Sequence, residues 1–133
     1  SMQGALAFQK GLGCVHSLSH ALGGIDPKLH HGTLNAIFLP AVIAFNGQAD
    51  SVRAEAKLDR LAQAMALPGG DAVGPAIRAM SARLGLPGGL AQLGVAEDQY
   101  PRIVAGALAD HSHKTNPREA SAQDYVELLR NSM

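Results

Sequence analysis

The sequence is poor in aromatic residues: it has no tryptophan, two tyrosines and three phenylalanines among 133 residues. Residues branched at Cβ are also sparse, whereas alanine, leucine and glycine dominate. Strands favour aromatic and β-branched side chains, and helices favour alanine and leucine. The composition therefore argues against a β-sheet domain and favours closely packed helices.

An excess of charge of either sign is also missing. Eleven Lys and Arg residues balance eleven Asp and Glu residues, which leaves a formal net charge of +0. The sequence therefore indicates no basic surface for nucleic acid or anionic lipid. It also leaves little charge repulsion against self-association, so we expect a homo-oligomer and no nucleic-acid partner.

Cys14 is the single cysteine, so no internal disulfide can form and a reducing cytoplasm is the expected location. The longest apolar stretch, residues 36–45, is interrupted by Pro40 and is far shorter than the ~20 residues that a membrane helix needs. The chain opens with SMQ and has no basic leader. We therefore expect neither a membrane span nor a signal peptide.

Apolar residues recur at helical spacing along most of the chain. The predicted helices cover residues 3–22, 31–45, 50–65, 71–84, 97–108 and 122–130, with an irregular segment at 86–95. Gly11 and Gly13 are expected to weaken the first helix and Gly23-Gly24 to cap its end. Pro40 is expected to kink or end the second helix. Short connections predict one all-α helical bundle over residues 1–133.

Four of the six histidines lie within residues 11–40: His16, His20, His30 and His31. His16 and His20 are four positions apart, so both emerge from one face of a helix. A short turn rich in glycine and proline can return His31 to that face. Neutral imidazoles at this spacing suit Fe²⁺, Zn²⁺, Ni²⁺ or Cu²⁺. Histidines that only pack in a core, or that bind metal adventitiously, produce the same spacing, so the pattern leaves these interpretations open.

A metal site of this kind normally includes a carboxylate, and no clear candidate for it accompanies these histidines. Asp26 lies in the turn and Asp110 lies near the far end of the chain, and neither has helical spacing to the histidines. His30 is interpreted as a solvated loop residue.

A second polar cluster, DHSHKTNPR, occupies residues 110–118. Asn116 with the following Pro-Arg, placed before a helix, is typical of N-terminal capping. Alternatively, Ser112 and His113 line a substrate pocket.

Three motifs, FQKGLGCVHSLSHALGG, HHGTLNAIFLP and DHSHKTNPREA, together resemble the iron-containing (group III) alcohol dehydrogenase family. The resemblance covers essentially the whole chain, and the motifs occur in the family's order. It implies a helical C-terminal domain that follows an N-terminal α/β domain binding NAD or NADP. It also implies a divalent metal, usually Fe²⁺ and sometimes Zn²⁺, held by one aspartate and three histidines, and a small alcohol or aldehyde as substrate.

Residue by residue, the resemblance implies that His16 and His31 are metal ligands and that His20 faces substrate and nicotinamide. The loop around Ser112 and His113 matches the border of the substrate pocket. The turn before His31 is one residue longer than in many members, so His30 competes with His31 as ligand.

Two further positions depart from the family pattern. Ala21 replaces a proline that is common in the family, and Ser112 replaces a cysteine found in some members. The second departure weakens any assignment of a particular substrate.

The family's remaining aspartate and histidine ligands, and its glycine-rich nucleotide motif, match no part of these 133 residues. We therefore expect the C-terminal part of a dehydrogenase, inactive by itself. The alternative is a stand-alone helical assembly domain with a vestigial or adventitious metal site.

Overall fold

A computed structural model describes residues 2–133, and within this range the chain forms eight α-helices and no strand. The helices are α1 (Met2–Phe8), α2 (Cys14–Ile25), α3 (His31–Asn46), α4 (Asp50–Ala54), α5 (Lys57–Ala64), α6 (Val73–Arg83), α7 (Tyr100–Ala109) and α8 (Ala122–Arg130). This confirms the predicted all-α fold. No helix in the described range is long and apolar enough to cross a membrane.

Helix α2 lies at the centre of the bundle, packed against α3 on one side and α7 on the other. Helix α8 closes the core by packing against both α7 and α3. The side chains that fill this core are fully buried and include Leu18, Phe38, Ile103, Tyr125 and Leu129. A smaller cluster of Ala62, Val73 and Ile77 holds α5 and α6 against α3. Because α2 is fixed on several sides, side chains on its remaining face have a defined position.

The predicted first helix is wrong in its bounds, because Gly11 and Gly13 divide it instead of merely weakening it. Both glycines have positive φ, 100° and 70°, a backbone region that ends a right-handed helix. A Cβ on Gly11 would also collide with Thr115. At the other end, Gly23 and the following glycine lie inside α2, which is capped instead by Asp26.

Helix α3 continues through Pro40, so the predicted termination at that residue is wrong. Proline costs one backbone hydrogen bond in a helix interior. Here Pro40 is buried, and so are Phe38, Ala41 and Val42 around it. The helix thus remains continuous at this position within a buried, apolar segment.

Three other boundaries differ from the prediction. Helix α7 begins at Tyr100, after a 3₁₀ turn at Glu97–Gln99, rather than at residue 97. The segment 50–65 forms two short helices because Ala56 adopts a left-handed conformation with φ of 47° between them. Helix α6 begins at Val73, after a 3₁₀ turn at Gly70–Ala72, rather than at residue 71.

The sequence predicts Asn116 as the cap of the last helix, and this prediction is wrong. Ser121 is the cap: its hydroxyl accepts a hydrogen bond from the Asp124 N–H at 3.1 Å. Asn116 Oδ1 instead accepts the Cys14 N–H, at the first residue of α2, at 3.1 Å. Its amide also pairs reciprocally with that of Asn46, at 2.7 and 3.2 Å. Asn116 therefore joins the start of α2 to the end of α3.

Candidate metal and substrate site

Three imidazole rings converge where α2 meets the start of α3. His16 and His20 lie one turn apart on α2, and His31 is the first residue of α3. The ring centroids are 5.7 Å apart for His16 and His20, and 5.2 Å from each of them to His31. The turn does return His31 to the face that carries the other two rings.

His30, the competing candidate for the metal ligand, caps a helix. It is exposed and precedes α3 as its N-cap, where its Nδ1 accepts a hydrogen bond from the Thr33 N–H at 3.4 Å. His30 thus contacts its own helix, whereas His31 turns toward α2.

The amide of Asn35 lies between the two predicted ligands. Its Nδ2 is 3.0 Å from His31 Nε2 and 3.4 Å from His16 Nε2. An amide N–H donates, so both Nε2 atoms accept and carry a lone pair. His31 Nδ1 then carries the proton and donates to Ser19 Oγ at 3.3 Å, and Ser19 Oγ donates to the His16 carbonyl at 3.2 Å. The two rings thus present lone pairs toward a common point. The hydrogen bond to Ser19 fixes the orientation of the His31 ring.

His16 is kept neutral by its surroundings. Burial lowers its pKa, and the positive charge that His31 and His20 can carry lowers it further, against smaller opposing effects of Asp110 and the Leu12 carbonyl. A neutral imidazole is the form that binds a metal ion. His16 Nδ1 is buried and lacks a hydrogen bond of normal geometry, as does Asn35 Oδ1.

The residues present fit part of a metal shell. Two imidazole lone pairs converge, and the buried unpartnered atoms beside them indicate that the local hydrogen bonding is incomplete. Within residues 2–133, however, no group of three or more His, Cys, Asp and Glu side chains is arranged to hold an ion. The cluster can therefore supply two ligands but lacks the carboxylate and third imidazole implied by the resemblance.

Asp110 is a partner of His20, which the sequence does not predict because the two residues are 90 positions apart. Its Oδ2 accepts a hydrogen bond from His20 Nδ1 at 2.9 Å, and its Oδ1 accepts the Ser112 N–H at 2.8 Å. Burial alone would raise the pKa of Asp110, but these hydrogen bonds and the nearby His20 charge lower it overall. Asp110 therefore remains a carboxylate and fixes the orientation of His20. Only the contact between α2 and the turn at His111–Thr115 reveals this pair.

The second polar cluster divides its side chains between the site and the core. His111 stacks on His20, with ring centroids 6.0 Å apart and an interplanar angle of 25°. Ser112 is buried, and His113 turns toward Tyr125, whose hydroxyl lies 3.0 Å from His113 Nδ1. The structure thus brings His111, rather than Ser112 or His113, into contact with the three-ring cluster. The substrate-pocket roles of Ser112 and His113 remain predictions.

Fold and site together define an all-helical domain with a histidine-rich centre that can contribute imidazole ligands to a divalent cation. A sequence model described as "Fe-containing alcohol dehydrogenase family, C-terminal" matches residues 1–133. The chain belongs to the iron-containing alcohol dehydrogenase family, as its three motifs indicate.

Relatives in this family are dehydrogenases of considerably greater length. The 4-hydroxybutyrate dehydrogenase of Cupriavidus necator is 58% identical over 137 residues, which cover 100% of this chain and 36% of the relative. The NAD-dependent methanol dehydrogenase of Bacillus methanolicus is 33% identical over 143 residues, covering 99% of this chain and 35% of the relative. A crystal structure of 1,3-propanediol oxidoreductase superimposes with a TM-score of 0.82 at 31% identity, covering 92% of this chain and 33% of that protein. The chain thus spans about a third of the length of these proteins.

Proposed function

We propose that this chain forms the metal- and substrate-binding part of a cytoplasmic, NAD(P)-linked alcohol dehydrogenase. The observation that carries the proposal is the convergence of two Nε2 lone pairs, from His16 and His31, on one point beside His20. His16 and His31 would hold the metal, and the family's remaining aspartate and histidine ligands would come from a separate part of the working enzyme. When bound, Fe²⁺ or Zn²⁺ supplies Lewis-acid polarisation of the alcohol oxygen.

His20 is the group that we assign to the substrate proton. Oxidation of an alcohol moves a hydride from its carbon to nicotinamide and releases the hydroxyl proton to a base. The hydrogen bond from Nδ1 to Asp110 places the His20 proton on Nδ1 and leaves the Nε2 lone pair free. His20 can therefore accept that proton, while Asp110 stabilises the resulting positive charge.

NAD(P) binding is assigned to a separate α/β domain, as the family resemblance implies. The chain alone is accordingly expected to show no turnover. An exchange experiment tests the proposal: residues 1–133 replace the matching segment of the Cupriavidus necator 4-hydroxybutyrate dehydrogenase, and NAD⁺ reduction with 4-hydroxybutyrate is measured. We expect activity in this exchange enzyme and its loss on His16→Ala or His31→Ala.

Two results would contradict the proposal. One is a folded exchange enzyme that binds NAD⁺ but oxidises none of 4-hydroxybutyrate, 1,3-propanediol and methanol. The other is turnover by the 133-residue chain alone, because it would show that the remaining ligands and the nucleotide site are not needed.

A second candidate function, assembly through a helical surface, is favoured by the exposed apolar side chains of α1. That helix buries none of its residues and leaves Met2, Leu6 and Phe8 exposed. Exposed apolar groups favour association. Light scattering at increasing concentration distinguishes the possibilities: a persistent monomer excludes a role in self-assembly. An oligomer that dissociates on Leu6→Glu would support such a role.

A further inference from the structure

The amide of Asn35 contacts both predicted metal ligands through a single nitrogen. Asn35 follows His31 by four positions on α3, so the two side chains lie on one face of that helix. Nδ2 carries two protons and lies 3.0 Å from His31 Nε2 and 3.4 Å from His16 Nε2, so it can donate one proton to each ring. Both ligand lone pairs are therefore already occupied by hydrogen bonds.

A hydrogen-bond donor and a metal ion compete for these lone pairs. Each Nε2 has one lone pair in the plane of its ring, and a donor N–H and a coordinated ion both approach along it. A Zn²⁺ ion lies about 2.0–2.1 Å from an imidazole nitrogen that binds it. An ion bound along the same lone pair would overlap an amide nitrogen that is 3.0 Å from His31 Nε2. The Asn35 amide must therefore leave before an ion can bind both rings.

The Asn35 side chain can leave because no other hydrogen bond holds it. Among residues 2–133 its side-chain hydrogen bonds are those to the two imidazoles, and its Oδ1 is buried without a partner. Rotation of the side chain therefore breaks these two bonds and no others. The backbone of α3 can stay in place, because Leu34 and Ile37, before and after Asn35, are buried in the core.

We propose that Asn35 is a latch that closes the half-site of His16 and His31 to divalent cations until its amide rotates away. The latch makes the two histidines weak ligands by themselves, because an ion that binds them must first break two hydrogen bonds. Ligands supplied by a separate part of the working enzyme offset this cost, so the latch favours an ion only when the full ligand set assembles. This inference rests on the metal-binding role proposed for His16 and His31.

Zn²⁺ binding to the 133-residue chain, measured by calorimetric titration, tests the latch without turnover. Asn35→Ala removes the amide and retains both imidazoles. It is expected to bind Zn²⁺ about tenfold more tightly than the unsubstituted chain, a factor equivalent to about one net hydrogen bond. Thr33→Ala is the matched control, because Thr33 lies near the start of the same helix and its hydroxyl contacts His30 rather than either ligand. This control should leave Zn²⁺ affinity unchanged.

A second measurement follows the Asn35 amide itself in the unsubstituted chain. The two Nδ2 proton signals of Asn35, observed by NMR, are expected to move toward the values of a solvated amide as Zn²⁺ shifts the ring signals of His16 and His31. Amide signals that stay constant while those ring signals change would show that the ion does not displace Asn35, and they would overturn the latch.

Four calorimetric results would also overturn the latch. They are equal Zn²⁺ affinity of Asn35→Ala and the unsubstituted chain, weaker binding by Asn35→Ala, an equal gain in Thr33→Ala, and no detectable binding by any of the chains. Weaker binding would mean that the amide organises the two rings for an ion instead of excluding it. An inactive exchange enzyme, together with tighter Zn²⁺ binding by Asn35→Ala alone, would instead refute the dehydrogenase function and leave the latch in place.

Discussion

Asp110 and His20 are 90 positions apart in the sequence and form a hydrogen bond of 2.9 Å between Oδ2 and Nδ1. The carboxylate is itself fixed, because its Oδ1 accepts the Ser112 N–H. Nδ1 of His20 is thus hydrogen-bonded to Asp110, and Nε2 remains available to a substrate. The turn that follows α7 therefore determines which nitrogen of His20 can take part in chemistry.

Asp110→Asn is expected to reverse the tautomer of His20. The variant has one side-chain oxygen, which the Ser112 N–H retains, so its NH₂ group faces His20 Nδ1 and donates to it. The proton of a neutral His20 then moves to Nε2. Nitrogen chemical shifts of the 133-residue chain report this change directly. In the exchange enzyme, kcat is expected to fall by about 10²–10⁴, the range for loss of a general base.

Asp26→Asn is the control for that substitution. Asp26 accepts a hydrogen bond from the Lys28 N–H, and no hydrogen bond joins it to a histidine in the described residues. It should change neither the tautomer nor kcat. An unchanged His20 spectrum in Asp110→Asn would refute the orienting role of Asp110.

Asn35→Asp is expected to strengthen Zn²⁺ binding by the 133-residue chain. The new carboxylate would lie at the position of an amide that is 3.0 Å from His31 Nε2 and 3.4 Å from His16 Nε2. Two imidazoles and a carboxylate form a common Zn²⁺ ligand set. Calorimetric titration should show binding at least about tenfold tighter than in the unsubstituted chain.

The gain in Zn²⁺ affinity should depend on both His16 and His31. Adding His16→Ala or His31→Ala to Asn35→Asp is expected to abolish it, and Asn131→Asp, on the exposed end of the last helix, should give no gain. A gain that survives loss of His31 would show that the two Nε2 atoms do not share a site.

Much of the fold follows from local patterns, because helical periodicity and composition alone predict the helical class and most helices. The positions at which helices are interrupted are harder to predict from the sequence. Gly11 has a positive φ and leaves no room for a Cβ beside Thr115, and Pro40 lies in a buried segment of α3. The close approach of Thr115 and the burial of Pro40 are tertiary features, which periodicity does not represent.

The candidate site also contains residues that local patterns predict and residues that they do not. His16 and His20 share a face through helical spacing, and a short turn suffices to bring back His31. Asp110 and His111 reach the same place only because α7 packs against α2. No spacing rule relates them to His20, so sequence reasoning identified neither as part of the cluster.

Asn116→Ala is expected to destabilise the chain by about 2 kcal/mol, because it removes a helix cap and leaves partly buried polar groups unpaired. The affected groups are the Cys14 N–H and the Asn46 amide. Urea unfolding followed by circular dichroism measures the change. Asn131→Ala, at an exposed position, should alter stability little. Equal effects of the two substitutions would show that the Asn116 hydrogen bonds do not contribute to stability.

Asp124→Asn is expected to destabilise the chain at neutral pH and progressively less as the solution becomes acidic. Hydrogen bonds from the Ser121 hydroxyl and N–H, with the charge of Arg118, lower the pKa of Asp124 despite partial burial. The unfolded chain therefore binds a proton more readily than the folded chain. The stability that this carboxylate contributes is present above its unfolded pKa of about 3.9 and is lost as pH falls through the lower folded value.

Thermal unfolding at pH 7 and at a series of acidic pH values measures this dependence for the chain and for Asp124→Asn. The difference in unfolding free energy should be about 0.5–1 kcal/mol at pH 7, as for other capping interactions, and should shrink below about pH 4. Glu119→Gln, at an exposed position in the preceding loop, is the charge-matched control and should show no comparable pH-dependent difference. A difference between the chain and Asp124→Asn that stays constant with pH would mean that the carboxylate's charge does not stabilise the start of α8, and that its hydrogen bonds to Ser121 act equally well through a neutral amide.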